Sequence, residues 1–517
     1  MLVQFLQRSR GLAFAFLNPH REPLDESSRI WHERRGIGQS VSTRIHWILL
    51  GNTLLGSFLA GAAVRIFNVA MPTVANNLQT DILGVSWAVL AFQLSGASLS
   101  LVFGKIGDIY GHQKVLGAGH LVMTIGSFLC GFSTSISQLI GFRIIQGIGA
   151  AMTQSVGRAL AAEAMPDEKG GRAQGLMTTA FHSGFLLGPS LGGLIIDSMG
   201  WRWTFFFLVP FAAAGAFMTF FTRVSSATPV RRSAVDYPGA TLLAGSATML
   251  FILLDRRTMT LMGLELRIVL VLLLIASFSG FLFREARAAD PIVNLSLFKI
   301  RMFTVSAVSL LIMSTNYSLT NFLLPFYLQE ILQLSPSFMG VLFIAAPIFT
   351  VTLGPVSGII CDRVGPRLPA TIGTSLLVAS LFIGTLLRTD SHWLLPTLML
   401  ALLGMANGFF NPANSVGILS SVSKGHMGFA TGTLNVMFGF GSLFGITLAS
   451  FLMSSAFQKY TGTSGAAPTA TLPVPFVAAL NYTFLVGIGI GLLAVISSAM
   501  RGVRTKPRRE DRHEERR

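Results

Sequence analysis

The sequence predicts an all-α polytopic membrane protein, and three observations carry that prediction. Of 517 residues, 51% are hydrophobic and only 12% charged, about half the charged share of an ordinary soluble domain. Apolar runs of roughly 18 to 25 residues recur along the chain, long enough to cross a hydrocarbon core about 30 Å thick. One short glycine-aspartate motif also occurs twice. Lipid-facing barrel strands of about ten residues would alternate apolar and polar positions, so these continuously apolar runs are read as helices.

Fourteen spans are expected, near 45–71, 84–103, 115–133, 138–163, 175–196, 203–222, 239–254, 268–283, 302–328, 338–360, 369–387, 393–417, 429–452 and 479–499. The net charge of +16 is spread over the two tails and alternate short loops. That is a topology signal rather than a nucleic-acid site, and it places both termini in the cytoplasm. The loop 255–267 runs against it, because Arg256, Arg257 and Arg267 fall outside. Residues 1–44 form a cytoplasmic segment. Within it Met1–Leu17 is basic, free of acids and too short in its apolar part to span, which leaves an interfacial helix, a targeting remnant, an over-extended start or a disordered tail. From Arg501 to Arg517 the chain reads as a basic, solvated tail. The two cysteines, Cys130 and Cys361, show no metal or disulfide spacing.

The repeated motif organises the rest. Gly104-Lys-Ile-Gly-Asp108-Ile-Tyr-Gly111 closes the second span, Gly358-Ile-Ile-Cys-Asp362-Arg363-Val-Gly365 closes the tenth, and the two aspartates are 254 residues apart. Two homologous six-helix halves are expected, 45–222 and 302–499, with the linker 223–301 carrying an extra helix pair and 500–517 forming the tail. Repeat-built transporters hold their substrate near the midplane between halves and rock one half against the other.

The motifs themselves resemble the major facilitator superfamily. Gly104-xxx-Asp108-xx-Gly111 is similar to the family's loop signature between spans two and three, and Leu139-xxx-Arg143-Ile-Ile-Gln146-Gly147 to its span-four signature. The run Gly175, Gly184, Gly188, Pro189, Gly192 and Gly193 is similar to the span-five signature of antiporters. With fourteen spans, the resemblance is to the drug:proton antiporter branch. It implies two six-helix major-facilitator halves with an inserted helix pair, and a cytoplasmic latch containing Gly104, Asp108 and Gly111 and their counterparts Asp362 and Arg363. Here Ile109, His112 and Gln113 replace basic residues that the family usually carries, and Glu163 is a candidate partner for His112 or Lys114. The glycines of span five and the bend at Pro189 are expected to let the halves slide.

Ionisable groups inside a bilayer cost about 2.5–3.5 kcal/mol each on insertion scales and are functional candidates. Arg65, Arg143, Arg158 and His182 are the ones singled out. Arg143 falls on the family position associated with proton transfer and domain stability, Arg158 is near enough to the surface to snorkel, and the imidazole of His182 is a group whose charge can change near neutral pH. Span one keeps Asn68-Val-Ala-Met-Pro72 of the family pattern but carries Ala63 where the family has its coupling acid and Arg65 where it has Thr. Arg65 and Asn68 lie three apart on one helix face. Either Arg65 faces a central cavity, or it snorkels outward. Asn52, Gln93, Asn316, Tyr317, Asn321, Asn407, Phe410, Asn411, Asn414 and Asn435 mark a candidate pathway, although a single Asn is as readily an interhelical hydrogen bond.

The resemblance implies a secondary transporter working by alternating access, expected to export amphipathic organic compounds in exchange for protons. Two alternatives stay open: an organic-anion transporter that lacks the usual coupling acid, or a membrane receptor or assembly protein that keeps the fold. No phosphate-cradling glycine loop, metal-ligand cluster or nucleophile motif is present, so no enzyme, cofactor or metal is expected. The expected setting is a bacterial inner membrane. The expected partners are the lipid bilayer, a small-molecule substrate and protons, with the chain a monomer and periplasmic adaptor proteins as candidate partners.

Overall fold

A computed structural model describes residues 26–163, 170–221, 237–254, 263–285, 295–422, 427–463, 468 and 471–501. The readings made for Met1–Leu17, for Arg256 and Arg257, and for the tail beyond Arg501 lie outside these residues, as do the side chains of Arg158, Glu163 and Asn435. Among the described residues sixteen α-helices follow in order: α1 (Glu26–Asn77), α2 (Ile82–Tyr110), α3 (His112–Gly131), α4 (Ile136–Glu163), α5 (Gly170–Met199), α6 (Arg202–Phe206), α7 (Leu208–Phe221), α8 (Tyr237–Leu254), α9 (Leu264–Glu285), α10 (Arg301–Phe326), α11 (Pro336–Phe343), α12 (Ala345–Val364), α13 (Arg367–Thr385), α14 (Leu394–Leu419), α15 (Met427–Thr461) and α16 (Pro473–Ala499). No strand occurs among the described residues.

Each expected span falls on one of these helices or on a broken pair of them, and α1 begins well before residue 45. Among the described residues, eleven helical stretches are long and apolar enough to cross a membrane. The spans expected on α2, α4 and α8 are not among them, α2 contributing only the shorter apolar piece Ile82–Gly96. In α4 the reason is visible, since it carries Arg143, Gln146 and Gln154 inward. Such polar positions are tolerated because they face protein rather than lipid. At the other extreme, α9 has only 6% of its apolar window buried and exposes Leu272, Leu273, Ile275 and Phe283, a surface suited to lipid and not to water.

The helices form two bundles with the same pairing. In the first, α1 packs on α5, α2 on α4, α3 on α4 and α3 on α7; in the second, α10 packs on α15, α12 on α14, α13 on α14 and α13 on α16. Helices α8 and α9 pack on each other, and α8 touches α2 and α15. Small residues set the closeness. A methyl at Gly126 would lie 2.6 Å from the Gln146 Cα, and one at Gly149 would lie 2.7 Å from the Met123 Cα, so α3 and α4 meet backbone to backbone.

The repeated motif makes the same turn twice. Gly111 ends α2 at φ 98° and Gly365 ends α12 at φ 85°, a left-handed conformation that favours glycine. In both, the glycine N–H closes the helix on the carbonyl four residues back, at 2.8 Å to Gly107 and 2.9 Å to Cys361.

Candidate functional site

The position of Arg65 follows from the glycines of α5. Gly184 lies against the Phe58 carbonyl, a methyl at Gly188 would stand 2.7 Å from the Arg65 Cβ, and one at Gly192 would stand 3.2 Å from the Ile66 carbonyl oxygen. With no side chain between the two helices, the Arg65 side chain passes along α5 and reaches α10 in the second bundle. Its Nη1 donates to Asn321 Oδ1 at 2.5 Å and its Nη2 donates to the Tyr317 hydroxyl. Asn321 donates its own Nδ2 to the Tyr317 carbonyl at 2.7 Å, which aims Oδ1 at the guanidinium. Two rings flank that group, Phe185 at 4.4 Å and Tyr317 at 4.9 Å. Each such contact contributes about 0.5–2 kcal/mol once desolvated. Arg65 is buried, and among the described residues no acidic side chain pairs with it.

His182 belongs to the same neighbourhood. It contacts Phe181 with ring centroids 5.7 Å apart and Phe185 at 6.1 Å. Seven and eleven residues further on, Pro189 and Gly193 share its helical stripe, and both touch α11 of the second bundle. His182 lies on that stripe about 10 Å deeper, and its side chain is exposed.

Arg143 occupies the other side of α1. Its Nε donates to the Ala88 carbonyl at 3.2 Å, and its Nη1 donates to the Ala63 carbonyl at 3.5 Å and to Gln146 Oε1 at 2.7 Å. Gln146 passes the chain to Ser127 at 2.8 Å. Phe67 and Phe92 flank the guanidinium at 4.4 and 4.5 Å. Arg143 is 1% exposed and braces α1, α2, α3 and α4 inside the first bundle. The side chain at 63, where the family acid would stand, is a methyl.

The remaining pathway residues divide. Gln93 Oε1 accepts from Ser442 at 2.8 Å, and Ser442 accepts from Ser318 at 2.7 Å, so a second polar link joins the bundles. Asn68 is buried one turn from Arg65. Asn316 is fully buried and donates to the Ile312 carbonyl at 3.3 Å. Asn411 reaches Asn407 at 3.4 Å and is not drawn to Arg65. Asn52 donates to the Gly215 carbonyl and Thr219 within the first bundle.

The two ends of the crevice differ. We call the end carrying Asn77–Ile82 outer, following the charge distribution. There Asn76 Nδ2 donates to Glu330 Oε1 at 2.8 Å, and Gln329 Nε2 donates to Thr73 Oγ1 at 2.7 Å. Asp197 Oδ2 accepts from the Ser337 N–H at 2.8 Å, so an acid of the first bundle sits at the N-terminus of α11, where helix dipoles favour it. Gly193 packs on Pro336, and Gly340 on Pro189. At the inner end Asp108 and Asp362 are exposed, and a methyl at Gly104 or Gly358 would meet nothing within 4 Å. Asp108 accepts from His112 at 2.8 Å, one turn along, while Arg363 is exposed. His112 thus has an acid partner other than Glu163. Among the described residues the bundles are thus bonded at the outer end while the motif aspartates of the inner end are exposed, an inner-open arrangement.

Sequence reasoning missed Glu330, Gln329, Asp197 and Gly340, which look like ordinary loop-end residues until the other bundle is brought against them. It also missed Gly441 and Gly445, which bring α15 onto Leu311 and Thr315 of α10 as Gly184 and Gly188 bring α5 onto α1; the 254-residue offset of the two aspartates lands on Phe438 and Ser442 instead and so did not point to them. The expectation of a solvated tail from residue 501 is corrected: Arg501 is 1% exposed, because it folds back from the end of α16 onto Asn414 of α14.

Two helical bundles of matching pairing, exposing apolar faces and enclosing a polar crevice, define a polytopic membrane transporter fold. The chain belongs to the Major Facilitator Superfamily, whose model matches residues 53–303 and 306–517. It is similar to the riboflavin transporter RibZ of Clostridioides difficile (strain 630), with 29% identity over 77% of this chain and 87% of the relative. It is also similar to the tetracenomycin C resistance and export protein of Streptomyces glaucescens, with 26% identity over 79% and 76% of the two chains. Multidrug resistance protein 3 of Bacillus subtilis (strain 168) is 26% identical over 80% and 82%. Among solved structures, a bacterial homolog of the human lysosomal transporter Spinster, in an inward-facing and unoccupied conformation, superposes with a TM-score of 0.64 at 13% identity, covering 88% of this chain and 97% of that one. The nucleoside transporter NupG superposes with a TM-score of 0.58 at 15% identity, covering 88% and 98%.

Proposed function

We propose that this transporter exports flat, amphipathic organic compounds that carry a negative charge or strong acceptor group, by alternating access between the two bundles. One observation carries the reading: the crevice presents a buried guanidinium, Arg65, set between aromatic rings and without an acidic partner among the described residues. A cation in an aromatic frame attracts anions and flat π-systems and repels organic cations. Export is supported by the names of two relatives, which are resistance proteins, and a flat aromatic substrate by the name of a third.

Proton exchange is part of the proposal, with His182 as the titrating group. Ala63 cannot bear a proton, Arg143 is enclosed by carbonyls and rings, and an arginine stays charged at any working pH. His182 is exposed on the stripe of α5 that carries Pro189 and Gly193, within the field of Arg65. The inner-open crevice is the state that would load substrate from the cytoplasm, with both termini on that side of a bacterial inner membrane. The outer latch of Asn76, Glu330, Thr73 and Gln329 would then open as Asp108 and Asp362 close the inner end.

The test is binding by the detergent-purified protein of a matched pair, a flat aromatic carboxylate and its primary amide. The acid should bind about tenfold more tightly, the equivalent of about 1.4 kcal/mol. Equal affinities, or preference for a cationic analogue, would remove Arg65 from recognition.

A further inference from the structure

Two polar side chains of the first bundle reach toward the same stretch of α10. Arg65 bonds Asn321 and Tyr317 directly, and Gln93 of α2 reaches Ser318 through Ser442 of α15. Ser318 Oγ donates to Ser442 Oγ at 2.7 Å, and Ser442 Oγ donates to Gln93 Oε1 at 2.8 Å. Ser318 and Asn321 are three apart on α10, so their side chains are neighbours about 5–6 Å apart. Arg65 lies about 18 Å along α1 from its outer end and Gln93 about 16 Å along α2, each roughly halfway through a core about 30 Å thick. One small molecule is therefore within reach of both.

The direction of the serine chain fixes the amide. A hydroxyl carries one proton; that of Ser318 goes to Ser442, and that of Ser442 goes to Gln93. Only an acceptor can receive it, so Oε1 is turned to Ser442 and Nε2, with its two N–H donors, is turned away. Among the described residues Nε2 has no hydrogen-bond partner. Nor is it sealed off: Gln93 is half-buried, whereas the enclosed atoms of α10 that lack partners, Asn316 Oδ1 and Thr320 Oγ1, belong to fully buried residues. The link between the bundles accounts for Oε1 and leaves the donors of Nε2 without a task.

We infer that Gln93 is a specificity-determining residue, whose amide nitrogen donates to a neutral acceptor of the substrate, a carbonyl oxygen or ring nitrogen, apart from the group held by Arg65. The inference rests on the proposed recognition of flat, anionic compounds and narrows it to those with a second acceptor. A guanidinium between rings attracts any flat anion. An amide instead reads one atom at one place. With Oε1 engaged by Ser442, an N–H group of the substrate at that place meets only donors, and a C–H group leaves Nε2 without a partner.

The experiment is ligand binding to the detergent-purified full chain at about pH 8, where an introduced glutamate is ionised. Two matched pairs are compared, a fluorenone carboxylate with the fluorene carboxylate of the same shape, and an acetylnaphthoate with its ethylnaphthoate. The ketone of at least one pair should bind about fivefold more tightly. Gln93→Glu keeps the acceptor for Ser442 and exchanges the donor for a second acceptor, and Gln93→Met removes both; each should abolish that ratio. Because both members of a pair carry the carboxylate, the ratio is insensitive to its repulsion by a new acid. Equal affinities within both pairs for the wild type, or a ketone preference that survives both substitutions, would overturn the inference. A parallel comparison of the acetylnaphthoate with its primary amide judges Arg65 separately: loss of that preference sinks the proposed anion recognition and leaves the ketone ratio to judge Gln93. Should neither variant fold, photolabelling of the wild type with an anthraquinone carboxylate decides, since the excited ring ketone joins to the nearest C–H. Labelling of α2 within a turn of Gln93 supports the contact, and labelling confined to other segments overturns it.

Discussion

The side chains of Asn76 and Glu330 meet at 2.8 Å although they are 254 residues apart, the same offset that separates Asp108 from Asp362. Positions related by the repeat touch each other only where the local twofold axis passes between them. That axis therefore emerges at the outer end, flanked by the contacts of Thr73 with Gln329 and of Asp197 with Ser337. Each neutral hydrogen bond contributes about 1 kcal/mol and a charged one about 1.5–3 kcal/mol. A closure held by a few such bonds can be reversed by the binding of substrate or of a proton.

Joining the two positions should trap the inner-open state. With cysteines at Asn76 and Glu330, a short bifunctional thiol reagent should reduce transport about tenfold or more, and cleavage of the linker should restore it. Unchanged transport after complete crosslinking would mean that the outer end does not open during turnover.

Asp108→Asn should leave binding from the inner side and thermal stability unchanged, because in the inner-open state the carboxylate is exposed and, among the described residues, pairs with His112 one turn away, a contact contributing about 0.3–0.5 kcal/mol. Turnover should fall about tenfold if the same acid must latch the closed inner end. Parallel binding and flux measurements at matched expression check both halves of this statement, and a loss of affinity equal to the loss of rate would contradict it.

The helices were legible in the sequence because hydropathy reports burial in lipid directly, and the motif ends were legible because a turn with φ near 90° needs glycine at 111 and 365. Arg65, Tyr317 and Asn321 were each visible as polar residues in apolar runs. That they meet was not, since their contact depends on how α5, through Gly188, steers a side chain across the crevice. Arg143 could be read equally as relay or brace, and only the carbonyls of Ala63 and Ala88 around it show the brace. Arg501 was hidden by composition, because a basic residue at the head of a basic tail carries no sign that it folds inward.

Arg143→Met should destabilise the first bundle by about 1–3 kcal/mol, since it strands Gln146 and removes donors from two buried carbonyls. The checking measurement is the chemical-denaturation midpoint together with the yield of folded protein. Arg143→Lys should not recover the loss, because an ammonium cannot fork between Ala88, Ala63 and Gln146. A lysine variant as stable as wild type would contradict the bracing role.

Under the proposed function, substrate is recognised by the Arg65 guanidinium, which Phe185 and Tyr317 flank at 4.4 and 4.9 Å. Flux in proteoliposomes tests it most directly, using a flat aromatic carboxylate and its amide, with and without an imposed pH gradient, for wild type and Arg65→Gln. Gradient-driven movement of the carboxylate is expected of the wild type. In Arg65→Gln that movement should fall about tenfold while amide flux changes little, the loss expected for one charge-assisted contact. Equal carboxylate flux in wild type and Arg65→Gln would contradict it.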